Sequence, residues 1–311
     1  YTPNLTNAKL TDCVKYCDDI IQCGLFDLSD EYRRKFYPDN GAQIKDFIYA
    51  MPFDCTSAQG MYYGRYRTFR RIDDGNGGYY GGQMGNSCAG NFAMNHEFSD
   101  LFTLEGDQRN DAVLGGTVYK FDGATYEPTD EVFLYQGATP LVFSKTITLK
   151  AENEQLNVGA DFNGWSQGYR SIKFYPDPTE YREHGRNQSN DVPIFRYADI
   201  LLTKAEAILR GAQATNGDTP LSLFNQIRDY VNAPLLEVVP TLQDILDERG
   251  REFFDENWRR NDMIRFGTFE SEYGFHKKGF PTARFDKECR ILPVPQDVLN
   301  ANNNWTQNPG Y

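Results

Sequence analysis

The chain has 311 residues, weighs 35.7 kDa and carries 32 Lys+Arg against 44 Asp+Glu, a formal charge of −12. That length allows one large domain or two ordinary ones, and a composition 40% hydrophobic and 24% charged excludes a disordered chain. So acidic a chain lacks the attraction that holds a phosphate backbone, which excludes nucleic acid and anionic membrane surfaces as partners. No run approaches the roughly eighteen consecutive apolar residues of a membrane-spanning helix.

Aromatic residues reach 14%, with Tyr 20 and Phe 22 beside Gly 27. A loop-rich, acidic, tyrosine-rich chain suits a neutral polar ligand such as a sugar. The plain alternative is that the tyrosines are packing residues. The sequence opens at Tyr1 with no apolar targeting segment, and a helix signal starts almost at once, so the chain is expected to begin inside a larger fold.

Residues 6–23 read as an amphipathic helix, with Leu10, Val14, Cys17 and Ile21 on one stripe and Gly24 as its stop. Cys13 and Cys17 stand four apart, without the spacing of a zinc or redox motif and poorly placed for a disulfide, so they read as ordinary buried thiols. The run 47–52 (FIYAMP) reads as a short buried strand. Residues 55–95 are dense in Gly, Asn and aromatics and read as loop, because glycine in a helix or central strand carries a large entropy cost. Residues 97–104 read as a short helix. From Arg109 to Phe174, short β-like runs alternate with turns, one of which (FNGWSQG) bears Trp165.

From Val192 the pattern becomes helical. VPIFRYADILLTKAEAILRGA reads as one helix opened by Pro193, with Ile194, Ala198, Leu201, Ala205 and Ile208 on one face. LSLFNQIRDYV forms its partner in a tetratricopeptide-like pair. LQDILDERGREFFDEN then runs into WRRNDMIRFG as a third helix.

Several of these segments, in order, resemble the SusD/RagB family of Bacteroidetes surface glycan-binding lipoproteins. FRYADILLTKAEA (195–207) is similar to the family's Arg-Tyr-Ala-(Glu/Asp)-x-x-Leu-x-x-Ala-Glu-Ala helix, and FNQIRDYVNAP (224–234) to its Asn-x-x-Arg segment. ILDERGREFFDENWRRNDMIRFG (245–267), ILPVPQDVL and the closing QNPGY complete the series. Phe253, Asn257, Met263, Phe266 and Asp297 depart from the family's Leu, Gly, Leu, Trp and Glu. Asn257 must then accept glycine-like backbone angles.

The resemblance implies a mainly α fold: tetratricopeptide-like helix pairs packed with an irregular, loop-rich subdomain containing short strands. It divides the chain into a lead-in (1–54), a loop-rich ligand-binding subdomain (55–190) and a helical scaffold with tail (191–311). It also implies that an N-terminal portion with a lipid-modified cysteine lies outside this chain. The implied function is capture of oligosaccharide or polysaccharide at the cell surface, for uptake through a TonB-dependent transporter of the SusC type. No cofactor or metal is implied, and no EF-hand loop is present.

The charged residues Glu248, Arg249, Glu252, Glu256, Arg259, Asp262 and Arg265 stand three and four apart, as a structural ion-pair lattice does; neighbouring arginines would lower the pKa that a general acid needs raised. Arg196, Tyr197, Glu206 and the tail read as scaffold, with Tyr311 docking the tail onto the helices. No nucleophile elbow, zinc-helix motif or phosphate loop occurs, so no catalytic residue is assigned. By the resemblance, MYYGRY (61–66) and GGYYGGQMGN (77–86) supply the ligand contacts. Tyr79 and Tyr80 are the stacking platforms, with Tyr62, Tyr63 and Tyr66 behind them. Asn76, Gln83 and Arg70 bond the hydroxyl rim, and Trp165 is a second platform. The alternatives are a glycoside hydrolase using Asp73 or Asp74 with a partner carboxylate, and a peptide-binding repeat scaffold.

Overall fold

The computed structural model describes residues 7–67, 79–86, 88–90, 92–150, 157, 161–270 and 287–311. The fold is mainly helical, with short antiparallel strand pairs in the middle of the chain. Helix α1 (Asn7–Gln22) buries Leu10, Val14 and Cys17 and stops before Gly24, whose φ is +66°. Strand β1 (Phe47–Met51) follows a 3-10 turn at Arg33–Phe36. The expected loop contains the short helix α2 (Tyr63–Arg67), and the short helix expected over 97–104 is the one-turn α3 (His96–Ser99), capped by Asn95 Oδ1 accepting from Phe98 N at 3.0 Å.

The central strands are β2 (Val113–Leu114), β3 (Gly116–Thr117), β4 (Tyr119–Phe121), β5 (Pro128–Val132), β6 (Leu134–Tyr135), β7 (Thr139–Pro140) and β8 (Val142–Phe143). Helix α4 (Phe162–Trp165) stands where a turn was expected; strand β9 (Arg170–Ser171) and helix α5 (Pro178–Glu183) follow. These pieces close over one aromatic core that includes Tyr80, Phe121, Phe133, Phe143 and Tyr175.

Residues 192–196 form strand β10 (Val192–Arg196), antiparallel to β1, so the expected helix starts later, as α6 (Tyr197–Leu209). The reason is a cap from far along the chain. Asp46 takes the Ala198 amide on Oδ1 at 3.0 Å and the Tyr197 amide on its backbone carbonyl at 2.8 Å, which fixes the first turn there. β1 is only half buried: Phe47 faces the core while Tyr49 and Met51 are exposed. Helices α7 (Pro220–Tyr230) and α8 (Leu242–Glu252) each open on a capping box, Thr219 with Ser222 and Thr241 with Asp244.

The expected third helix is two, α8 and α9 (Arg259–Phe266), because Asp255 and Asn257 take φ of +63° and +66° between them. Asn257 thus does adopt the angles that the family's glycine favours. α6 packs on α1, α7 and α8 around Leu201, Leu202, Phe224, Ile227 and Ile245. After a 3-10 turn at Lys287–Arg290, α10 (Gln296–Ala301) leads to the tail. Among the described residues, the tail's hydrogen bonds run to the chain at 291–294. Gln307 bonds both backbone groups of Val294, at 2.7 and 2.9 Å, and the Tyr311 hydroxyl donates to Ile291 O at 3.1 Å while its ring stays exposed.

The lattice of charge is structural and buried. Arg196 NH1 meets Asp46 at 2.6 Å and Glu252 at 2.7 Å, and its NH2 meets Glu256 at 2.9 Å. Arg109 reaches Asp107 and Glu248 at 2.7 Å and Glu252 at 3.2 Å. Lys35 completes the pairing of Asp46 at 2.9 Å. Arg249 joins α8 to Asp262 of α9 at 2.9 Å and to Asp199 of α6 at 2.5 Å. The cysteines form no disulfide among the described residues; Cys17, Cys55 and Cys88 are buried, but Cys23 is exposed. No described helix is long and apolar enough to cross a membrane.

Candidate functional site

Tyr79 and Tyr80 are fully buried, which removes them as stacking platforms. Their ring centroids lie 4.5 Å apart at 77°, and they pack against Phe121, Phe133 and Tyr175. Gly81 brings two backbones together rather than loosening a ribbon. A Cβ on Gly81, at φ +77°, would sit 2.1 Å from the Gly123 nitrogen, so the segment lies flat on the β4–β5 turn. Phe121 N donates to Tyr79 O at 2.7 Å and locks it there.

Burial pushes both phenols up, and neither hydroxyl has a hydrogen-bond partner among the described residues. Tyr80→Phe is therefore expected to stabilise the chain by about 1 kcal/mol and to leave ligand binding unchanged, since it deletes a buried, unbonded hydroxyl. Urea unfolding and a binding isotherm on the same sample check this.

Trp165 is also a packing residue. It ends α4, half-buried against the aromatic core, with Tyr135 at 6.3 Å. Gln83 is exposed, and its backbone carbonyl accepts from Arg182 NH1 at 3.3 Å. Asn76 and Arg70 lie outside the described residues, as do Asp73 and Asp74.

The tyrosines expected behind these are the ones at the surface. Tyr62, Tyr63 and Tyr66, at the start of α2 and along it, are partly exposed. Tyr63 stands edge-on to Phe174 at 4.9 Å, lies 3.6 Å beneath the Arg67 guanidinium, and accepts on its hydroxyl from Asn257 Nδ2 at 3.3 Å. Arg67 is paired with Asp255, which also accepts from Ser171 Oγ at 2.9 Å. Tyr66 meets Phe92 at 6.2 Å and 87°.

Phe92 is 58% exposed, and its amide donates to Tyr66 O at 3.1 Å, so α2 and the strand of chain after it hold the two rings at a right angle. Phe92 was missed in the sequence, although it stands among Gly, Asn and Ala as the chosen tyrosines do.

A cavity of about 930 Å³ is lined by Ala93, the residue after Phe92, and by Asn257, which bonds Tyr63; the rings of Tyr66 and Phe92 are not part of its lining. Ala93, Met94 and Asn95 form one wall; Asp247 from α8, Asp255 and Asn257 from the α8–α9 break and Arg260 from α9 form the other. Burial pushes the Asp247 and Asp255 carboxyls up, against the pull of Gln243 on the first and of Arg67 on the second. Amides, carboxylates and the guanidiniums of Arg259 and Arg260 alternate with apolar wall, the lining that suits an uncharged molecule with both hydroxyls and an apolar face. Among the described residues no cluster of His, Cys, Asp and Glu has the make-up of a metal site.

Known proteins carry the same architecture. Surface glycan-binding protein A from Bacteroides thetaiotaomicron, solved in complex with laminarihexaose, superposes with a TM-score of 0.62 at 20% identity over 97% of this chain and 60% of its own. The corresponding protein from Bacteroides uniformis gives 0.65 at 18% identity, over 97% and 57%. In sequence, the starch-binding protein SusD of Bacteroides thetaiotaomicron is 31% identical over 157 residues, 48% of this chain and 27% of that protein. The chain therefore spans about 60% of those solved structures and a smaller part of that curated relative. The profile of the SusD family matches residues 45–311, and with that match over most of its length the chain belongs to the SusD family.

Proposed function

We propose that the chain is the glycan-capturing part of a cell-surface protein, without catalytic activity, that holds oligosaccharide for uptake through a TonB-dependent outer-membrane transporter of the SusC type. A lipid anchor on the full-length protein would keep it at the outer membrane. The observation that carries this reading is the pair of surface rings, Tyr66 and Phe92, set at a right angle, with the 930 Å³ cavity lined from Ala93, the residue after Phe92, onward. Flat rings cover the apolar face of a sugar while the cavity's amides and carboxylates take its hydroxyls. The laminarihexaose-bound and starch-binding relatives support it. In this reading the loop-rich subdomain (55–190) carries the rings, and the scaffold (191–311) contributes the far wall through Asp247, Asn257 and Arg260.

Migration through native gels cast with laminarin or soluble starch tests the proposal. Tyr66→Ala and Phe92→Ala are each expected to weaken retardation roughly tenfold, as loss of an aromatic anchor does. Retardation of both variants equal to the parent would remove the site. Because Asp247 and Asp255 share the cavity, reducing ends are assayed in parallel; sustained sugar release, lost in Asp247→Asn, would replace the proposal with a hydrolase on these carboxylates, and release lost in Asp73→Asn or Asp74→Asn with the hydrolase expected from the sequence.

A further inference from the structure

We propose that the chain carries a second saccharide-binding site, in a cavity of the strand-bearing region built by Arg33, Asp111, Tyr119 and Glu127, that takes one uncharged, hydroxyl-rich sugar unit. The cavity holds about 420 Å³ and is formed by the Arg33–Phe36 turn, the start of β2 and the β4–β5 hairpin. Its floor is Arg33, whose side chain is 6% exposed. NH1 donates to Glu127 Oε2 at 2.6 Å and NH2 to Tyr126 O at 2.9 Å, and a guanidinium has more N–H donors than these two contacts use.

The wall is Tyr119, 40% exposed. Its strand is paired irregularly between Tyr119 and Phe121, so Phe121 is buried in the core and Tyr119 is exposed, and both border the cavity. Asp111 borders the same space with no hydrogen bond from any described residue.

The chemistry selects the ligand by elimination. A guanidinium floor disfavours a cation, and the two carboxylates of Asp111 and Glu127 disfavour an anion. A wholly apolar molecule would cover Asp111 and leave it unbonded, at a desolvation cost. A sugar meets all three: adjacent hydroxyls donate to Asp111 and accept from Arg33 while a C–H face lies on the Tyr119 ring. This site goes beyond the Tyr66–Phe92 site and does not depend on it. One glycan chain held at both places would bind more tightly through effective concentration.

Amide spectra of the whole chain, recorded through titrations with laminarihexaose and with maltohexaose, test it. The expected result is a set of shifts around Asp111, Thr117 and Tyr119, separate from any set around Tyr66 and Asn257. Tyr119→Ala and Asp111→Asn should each weaken the first set roughly tenfold and leave the second in place. Both positions are exposed, and the rest of the spectrum reports that each variant folds. Shifts confined to Tyr66 and Asn257 would overturn the second site and spare the proposed function. Shifts confined to Tyr119 would do the reverse, and silence toward both sugars would overturn both.

Discussion

Arg196→Met is expected to lower the free energy of unfolding by about 3–5 kcal/mol, the largest effect of any single replacement considered for this chain. The Arg196 side chain is 1% exposed and bonds Asp46, Glu252 and Glu256 at 2.6 to 2.9 Å. Methionine keeps the bulk and removes the charge, so three buried carboxylates lose their shared cation with no water to replace it. Asp46 also caps α6, so its reorientation would loosen the first turn of that helix. The midpoint of urea unfolding measures the loss. A change below about 1 kcal/mol would mean that Lys35, Arg109 and Lys173, which pairs with Glu256 at 2.5 Å, can neutralise the cluster without Arg196.

Acid is expected to remove roughly 3 kcal/mol by pH 2 through Glu248 alone. Burial works against its charge, but Arg109, Arg251 and Arg228 surround it and hold the carboxyl down at about 2 from its ordinary 4.5. Between those values the unfolded chain binds the proton and the folded chain does not. The stability from this group is therefore complete above pH 4.5 and is lost as pH falls through about 2. Asp46, held low by Lys35 and Arg196 despite its burial, acts in the same direction. Urea midpoints measured at intervals from neutral pH downward should be flat until about pH 5 and then fall. Glu248→Gln should start from a lower stability and fall less steeply. A flat midpoint down to about pH 3 would show that the pairing does not hold these carboxylates ionised.

The scaffold was legible because its signals are local. Helices α7 and α8 fall on the runs LSLFNQIRDYV and LQDILDERGREFFDEN, and the apolar stripe of α1 needs only its own turn spacing. The role of the charged run was legible too: arginines beside acids oppose the raised pKa a catalytic acid needs. Its partners were not. Arg196 meets an aspartate 150 residues away, and Glu252 bonds Arg109 from β2's approach rather than a neighbour on its own helix. The start of α6 was misjudged for the same reason, since its cap comes from Asp46.

The ligand-facing rings show the limit most clearly. Tyr79, Tyr80 and Phe92 all stand among small residues, and composition does not separate them. Only the approach of Gly81 to Gly123 and the packing around Phe121 bury the first two, while the hydrogen bond of the Phe92 amide to Tyr66 leaves the third outside.

The amino-acid order by itself determined the positions of α1, α7 and α8, the family and the structural use of the charged lattice, because each follows from spacing within a few turns of chain. The tertiary structure decided which aromatic rings face solvent and which carboxylates share a cavity. Those depend on contacts between segments far apart in the chain, where a glycine's freedom can serve a tight backbone crossing as readily as a mobile loop.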